Sequence, residues 1–135
     1  MKKVALLILP AALAILIITG CGKIPQTAGG GSTSGGCVTG QTVTMAAVTF
    51  AETCVNAKVN TPVIFNDPAS SGGVHIICIG HNQACKAGAT GPKDLLGSGF
   101  QIVQGQTHSV TFTTPGTYDI TCVVHPNMNV TVTVQ

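Results

Sequence analysis

Beyond position 21 the chain has no arginine, and its four lysines (Lys23, Lys58, Lys86, Lys93) are matched by four acids (Glu52, Asp67, Asp94, Asp119). The formal net charge of +2 therefore comes from Lys2 and Lys3 at the start. A chain without a basic face has no means of tracking a phosphate backbone, which excludes nucleic-acid binding, and its weak field cannot steer partners strongly. No segment carries a helical stripe of apolar residues, although "GPKDLLG" has room for a turn or two. Paired C-x2-C or H-x3-H spacings are also missing, which argues against a closed structural zinc site.

The first twenty residues read as an export signal. A short basic start, Met1-Lys2-Lys3, precedes "VALLILPAALAILII", an apolar run of signal-peptide length that is short for a bilayer span. The run ends in Ile18-Thr19-Gly20-Cys21, which resembles the lipobox of bacterial lipoproteins. That resemblance implies a cysteine that is acylated and becomes the new amino terminus, holding an exported protein to a membrane that faces the periplasm or the cell exterior. Residues 21–36 then form a Gly- and Ser-rich tether. A flexible chain of this length holds a domain roughly 20 Å from its anchor on average. Residues 37–135 are long enough for one modest core.

Six cysteines are present: Cys21, Cys37, Cys54, Cys78, Cys85 and Cys122. With Cys21 reserved for lipid, five remain in an oxidising compartment, and an odd number leaves one unpaired or bridged to another molecule. Cys122 is the candidate for the free thiol. The other four allow three pairings, of which Cys37 with Cys54 and Cys78 with Cys85 is favoured because each pair flanks a short stretch able to return on itself.

Period-two alternation dominates the rest. In "NVTVTV" Val130, Val132 and Val134 take one face; in "PGTYDITC" Tyr118, Ile120 and Cys122 do; in "SVTFTT" Val110 and Phe112 do. Further strands are expected at "QTVTMAA", "TCVNAKV", "TPVIFN", "VHIICIG" and "GFQIV". About eight short strands separated by Gly, Pro and Asn turns describe an all-β antiparallel sandwich.

Near the end, "TCVVHPNMNV" spaces Cys122, His125 and Met128 at intervals of three. Cys122 ends a strand with its sulfur on the interior face, and the next loop can bend an imidazole and a thioether back towards it. Thiolate, imidazole and thioether form a soft set that selects copper or zinc over magnesium or calcium. Two histidines, one cysteine and a weak axial methionine make a blue-copper site, so one more histidine is required.

"FTTPGTYDITCVVHPNM" resembles the carboxy-terminal signature of the cupredoxins, the type 1 blue-copper family, and its short C-x2-H-x2-M loop is most similar to that of amicyanin, plastocyanin-like relatives having longer ligand loops. The resemblance implies a Greek-key sandwich of eight strands holding one type 1 copper through His75, Cys122, His125 and Met128. His75 is taken from "TPVIFNDPASSGGVHIICI", where the family's first ligand histidine follows a "V-x-F-x-N" type segment. The dipeptide His81-Asn82 is the rival, because the family usually has Asn after this histidine whereas Ile76 follows His75. His75 is preferred because "IICI" reads as a buried strand and "NQACKAGA" as loop. The family's glycine soon after the methionine is also missing from "MNVTV".

The expected function is single-electron transfer by Cu(I)/Cu(II) cycling in a membrane-tethered monomer, with redox partners docking near His125. A non-redox copper-holding or surface β-sandwich lipoprotein is the alternative. Four histidines and four acids are too few for a catalytic copper centre with extra ligands, so an enzyme is not expected. His108 is expected at an edge or on the surface, and Met45 in the core.

Overall fold

A computed structural model describes residues 33–34 and 36–135; the signal, Cys21 and nearly all of the tether lie outside the described residues. The strands are, in chain order, β1 (Thr33–Ser34), β2 (Cys37–Thr39), β3 (Thr42–Thr44), β4 (Cys54–Ala57), β5 (Pro62–Asp67) and β6 (Val74–His81). They continue with β7 (Ala84–Cys85), β8 (Phe100–Val103), β9 (Gln106–Thr111), β10 (Gly116–Cys122) and β11 (Asn129–Val134). A 3-10 helix, Lys93–Leu95, occupies the "GPKDLLG" segment and buries Leu95. Among the described residues no helix is long and apolar enough to cross a membrane.

Two sheets face each other. The larger runs β1-β2-β4-β11-β10-β6, and the far edge of β6 is shared by β8 along Val74 to Ile77 and by β7 at Gly80 and His81. The smaller is β3-β5-β9. Alternation works as the sequence suggests: in β11 Val130, Val132 and Val134 are buried while Asn129, Thr131 and Thr133 are half-exposed. One core cluster joins Val43, Val63, Phe65 and Val110 of the smaller sheet to Val55, Ile77, Ile120 and Val132 of the larger. Each such side chain contributes roughly 1.5–3 kcal/mol by leaving water. Met45 is in that cluster.

The all-β sandwich expected from the sequence is present, with two differences of detail. The eight anticipated segments all form strands, and β1, β2 and β7 add two- or three-residue pieces too short to show alternation. Three pairings are parallel: β4 with β11, β2 with β4, and β3 with β5. Alternation reports which face a side chain takes and is silent about which strand lies alongside, so an antiparallel expectation had no way to detect these.

Cys37 and Cys54 sit side by side on β2 and β4, whose register pairs Val38 with Val55, and they are bridged with Cα atoms 4.5 Å apart. Cys78 and Cys85 are bridged across the β6–β7 hairpin, Cα atoms 5.6 Å apart. Asn82 and Gln83 form its tip, both with positive φ, the backbone that a tight two-residue hairpin requires. Gly80 permits the close return of β7, since an added Cβ would overlap the Ala84 carbonyl oxygen.

Candidate metal centre

At one pole of the sandwich the end of β10 meets the start of β6. Cys122 lies opposite Ile77 in the antiparallel ladder, so His75, two residues earlier on β6 and on the same face as Ile77, is delivered to the same interior region. Both Cys122 and His75 are fully buried. The Nδ1 of His75 lies 3.8 Å from Cys122 Sγ. His125, half-buried in the loop after β10, brings its own Nδ1 to 3.6 Å from the same sulfur. The two imidazole rings have centroids 4.9 Å apart.

These three donors lie within 4.8 Å of one another, and no other such group of His, Cys, Asp or Glu occurs among the described residues. Cys122 is the free cysteine, the other four described cysteines being bridged. An ion bonded to sulfur at ~2.3 Å and to nitrogen at ~2.0 Å needs donors about 3.5–3.8 Å apart, for angles from tetrahedral to trigonal. The observed separations of 3.6 and 3.8 Å meet that requirement.

The ligand loop is shaped by its own backbone. The amide of Cys122 donates to the Met128 carbonyl at 3.0 Å, which closes the loop on itself. Met128 is fully buried within the core cluster. The left-handed turn falls at Asn127, φ 61°, a residue type that tolerates this conformation. That placement, before the methionine, explains how the loop turns without the family's glycine after it.

His81 is exposed at the far end of β6, where it lines a surface pocket with Asp119, Asn129 and Thr131. The structure thus brings His75, rather than His81, to Cys122. His108 on β9 stacks on Phe100, pairs with Asp94 at 3.0 Å, and takes no part in the cluster.

Other residues at the site carried little warning in the sequence. The Val123 amide donates to the Ile76 carbonyl at 2.8 Å, a main-chain tie between the two ligand-bearing segments where the family uses an asparagine side chain. The tip of the β6–β7 hairpin adds a second tie. Gln83 Nε2 donates to the carbonyls of Val123 (3.2 Å) and Val124 (3.3 Å), and its backbone N–H donates to Thr121 Oγ1 at 3.1 Å. Asn82 and Asn129 exchange two hydrogen bonds, of 2.9 and 3.0 Å. This cover explains why Thr121 is buried although it points away from the core. The only signal available beforehand was Asn82 itself, which the sequence offered in another role.

Burial pushes the pKa of His75 below its ordinary value of 6.5; the nearby charge of Asp67 opposes the shift and that of His125 adds to it. Its ring is held neutral at physiological pH, leaving one nitrogen lone pair for a metal.

Known proteins resemble this chain. A family model described as copper binding proteins, plastocyanin/azurin family, matches residues 40–135. Among solved structures, the oxidised state of an amicyanin mutant is similar at 26% identity and a TM-score of 0.52, over 76% of this chain and 86% of that one. A reduced Cu(I) form of a second amicyanin mutant is similar at 25% identity and a TM-score of 0.51, over 77% and 86% of the respective chains. A third, in the reduced state, shares 26% identity at a TM-score of 0.50, over 70% and 80%. None of the curated proteins matches the chain in sequence.

Proposed function

Since the chain belongs to the plastocyanin/azurin family of copper-binding proteins, we propose that it is a membrane-tethered one-electron carrier whose copper is held by His75, Cys122, His125 and Met128. Its cofactor is one type 1 copper ion, which supplies one-electron chemistry by alternating between Cu(I) and Cu(II). The observation that carries the reading is the buried, unbridged sulfur of Cys122 with an imidazole Nδ1 at 3.6 Å on one side and at 3.8 Å on the other.

The chain's own contribution is rigidity and access. Transfer is fast when neither oxidation state requires the donors to move, and each donor is fixed: Cys122 and His75 by the ladder between β10 and β6, His125 and Met128 by a loop tied at both ends. Burial keeps water from the sulfur. His125 is half-exposed, with exposed Val124 and Pro126 beside it, and this weakly charged apolar surface suits brief docking by redox donors and acceptors. The lipobox-like Ile18-Thr19-Gly20-Cys21 supports export and lipid anchoring through Cys21.

Adding Cu(II) to the purified protein should produce an intense visible band and a reversible one-electron wave in voltammetry. Cys122→Ser should abolish the band; a variant that stays coloured refutes the ligand assignment. A copper-loaded protein without a reversible wave would favour a copper-holding role over a carrier. Cys21→Ala should move the protein from the membrane fraction to the soluble one, and unchanged pelleting rejects the tether.

A further inference from the structure

Behind His75, on the side away from Cys122, lies a carboxyl group to which the copper-binding pattern gives no role. Asp67 ends β5 and, like His75, is fully buried. Its Oδ1 is engaged by the hydroxyl of Ser71, which is also within reach of the Pro68 carbonyl at 2.7 Å, and its backbone carbonyl accepts from Gly105 N at 2.7 Å. These contacts hold the side chain in place. Among the described residues its Oδ2 has no hydrogen-bond partner, nor does His75 Nε2, and these two buried atoms are 3.9 Å apart.

Either atom alone would carry an uncompensated desolvation penalty. Facing each other they can cancel it, because an approach of roughly 1 Å makes a charge-assisted hydrogen bond. The direction of that bond is set by the other nitrogen. His75 Nδ1 is turned to the Cys122 sulfur, so when its lone pair goes to a metal the single proton of the neutral ring is on Nε2, aimed at Asp67. Metal-bound histidines commonly donate their second N–H in this way, and a carboxylate acceptor raises the basicity of the ligand.

We propose that Asp67 is a positioning residue for the copper centre: its Oδ2 accepts the Nε2–H of His75, fixing the tautomer and orientation of that ligand, and its negative charge favours Cu(II) over Cu(I). The proposal rests on the reading of His75 as a ligand. A purely architectural role, in which Asp67 only caps the turn through Ser71, would affect stability and leave the metal's preference unchanged.

The test uses the full-length protein. Asp67→Asn preserves size and an acceptor oxygen but removes the charge. It should keep the visible band while lowering Cu(II) affinity relative to Cu(I) by roughly 10–100-fold, and each tenfold change raises the one-electron potential by about 59 mV. Asp67→Glu, which restores a carboxylate, should bring the potential back towards that of the unsubstituted protein. A potential unmoved in Asp67→Asn, with only the thermal midpoint altered, overturns the proposal. A second measurement requires no variant: nitrogen NMR of the copper-free protein should find the His75 proton on Nε2, and a proton on Nδ1 overturns the proposal. Failure of the underlying reading is separate, because it would appear as a visible band that survives His75→Gly.

Discussion

Replacing Gln83 with alanine isolates the brace on the ligand loop. The substitution removes two hydrogen bonds, from Nε2 to the carbonyls of Val123 and Val124 at 3.2 and 3.3 Å, and leaves the backbone contacts of the hairpin tip in place. Gln83 is exposed, so water can take up the released carbonyls and each bond contributes near the low end of its range, ~0.5 kcal/mol. Two such bonds make about 1 kcal/mol, which raises the equilibrium for local loop opening about fivefold. The reporter is the Val123 amide, bonded to the Ile76 carbonyl at 2.8 Å. Its hydrogen exchange in the copper-free protein should accelerate by about that factor, with the thermal midpoint falling by about 4–8 °C for a domain of this size. Gln101→Ala, on the exposed face of β8, is the comparison and should change neither. Unaltered Val123 exchange in the Gln83 variant would refute the idea that the hairpin tip holds the loop.

His75→Gly should bleach the visible band in a way that added imidazole reverses, whereas His81→Gly, at an exposed position at the other end of β6, should leave the spectrum intact; the opposite pattern reverses the assignment. Met128→Ala should cost about 2–5 kcal/mol as a cavity in the core, whereas Met128→Leu preserves volume and should cost less than about 1.5 kcal/mol. Because the leucine variant lacks the thioether, it should keep the band but shift the potential, and an unchanged potential would make Met128 a core residue only. For the copper-free protein, the depressed pKa of His75, caused first by burial, sets the sign of a pH effect. The unfolded chain takes up this proton near the ordinary value of 6.5 and the folded chain does so only at lower pH, so the stability is complete above 6.5 and is lost as pH falls through the folded value. The midpoint of thermal unfolding should therefore drop on acidification below that point, and the component should vanish in His75→Asn; a slope that persists in the variant assigns it to another group.

Residues close in sequence disclosed their part of the site early. Cys122 ends β10 and His125 and Met128 lie in the loop that follows, so their spacing and the strand alternation before it were enough to bring an imidazole to the sulfur. Local return also lay behind the favoured pairing of Cys37 with Cys54 and Cys78 with Cys85, which the structure shows. "NQACKAGA" misled in part: it reads as loop, yet Ala84–Cys85 is a strand, because the Asn82-Gln83 turn and the bridge to Cys78 impose an extended course on residues with little propensity of their own.

The sequence by itself determined the strand faces and the soft donor set in the last loop, because alternation and short-range spacing are properties of the chain. Tertiary structure decided the rest. His75 and His81 have the same parity along one strand, and only the register of β6 against β10 selects which of them meets Cys122. Asp67 was one acid among four until β5 placed it behind His75, and Gln83 was a loop residue until its hairpin folded over the segment carrying His125. Contacts between segments distant in sequence depend on register and on which strands become neighbours, and those are settled only when the whole core packs.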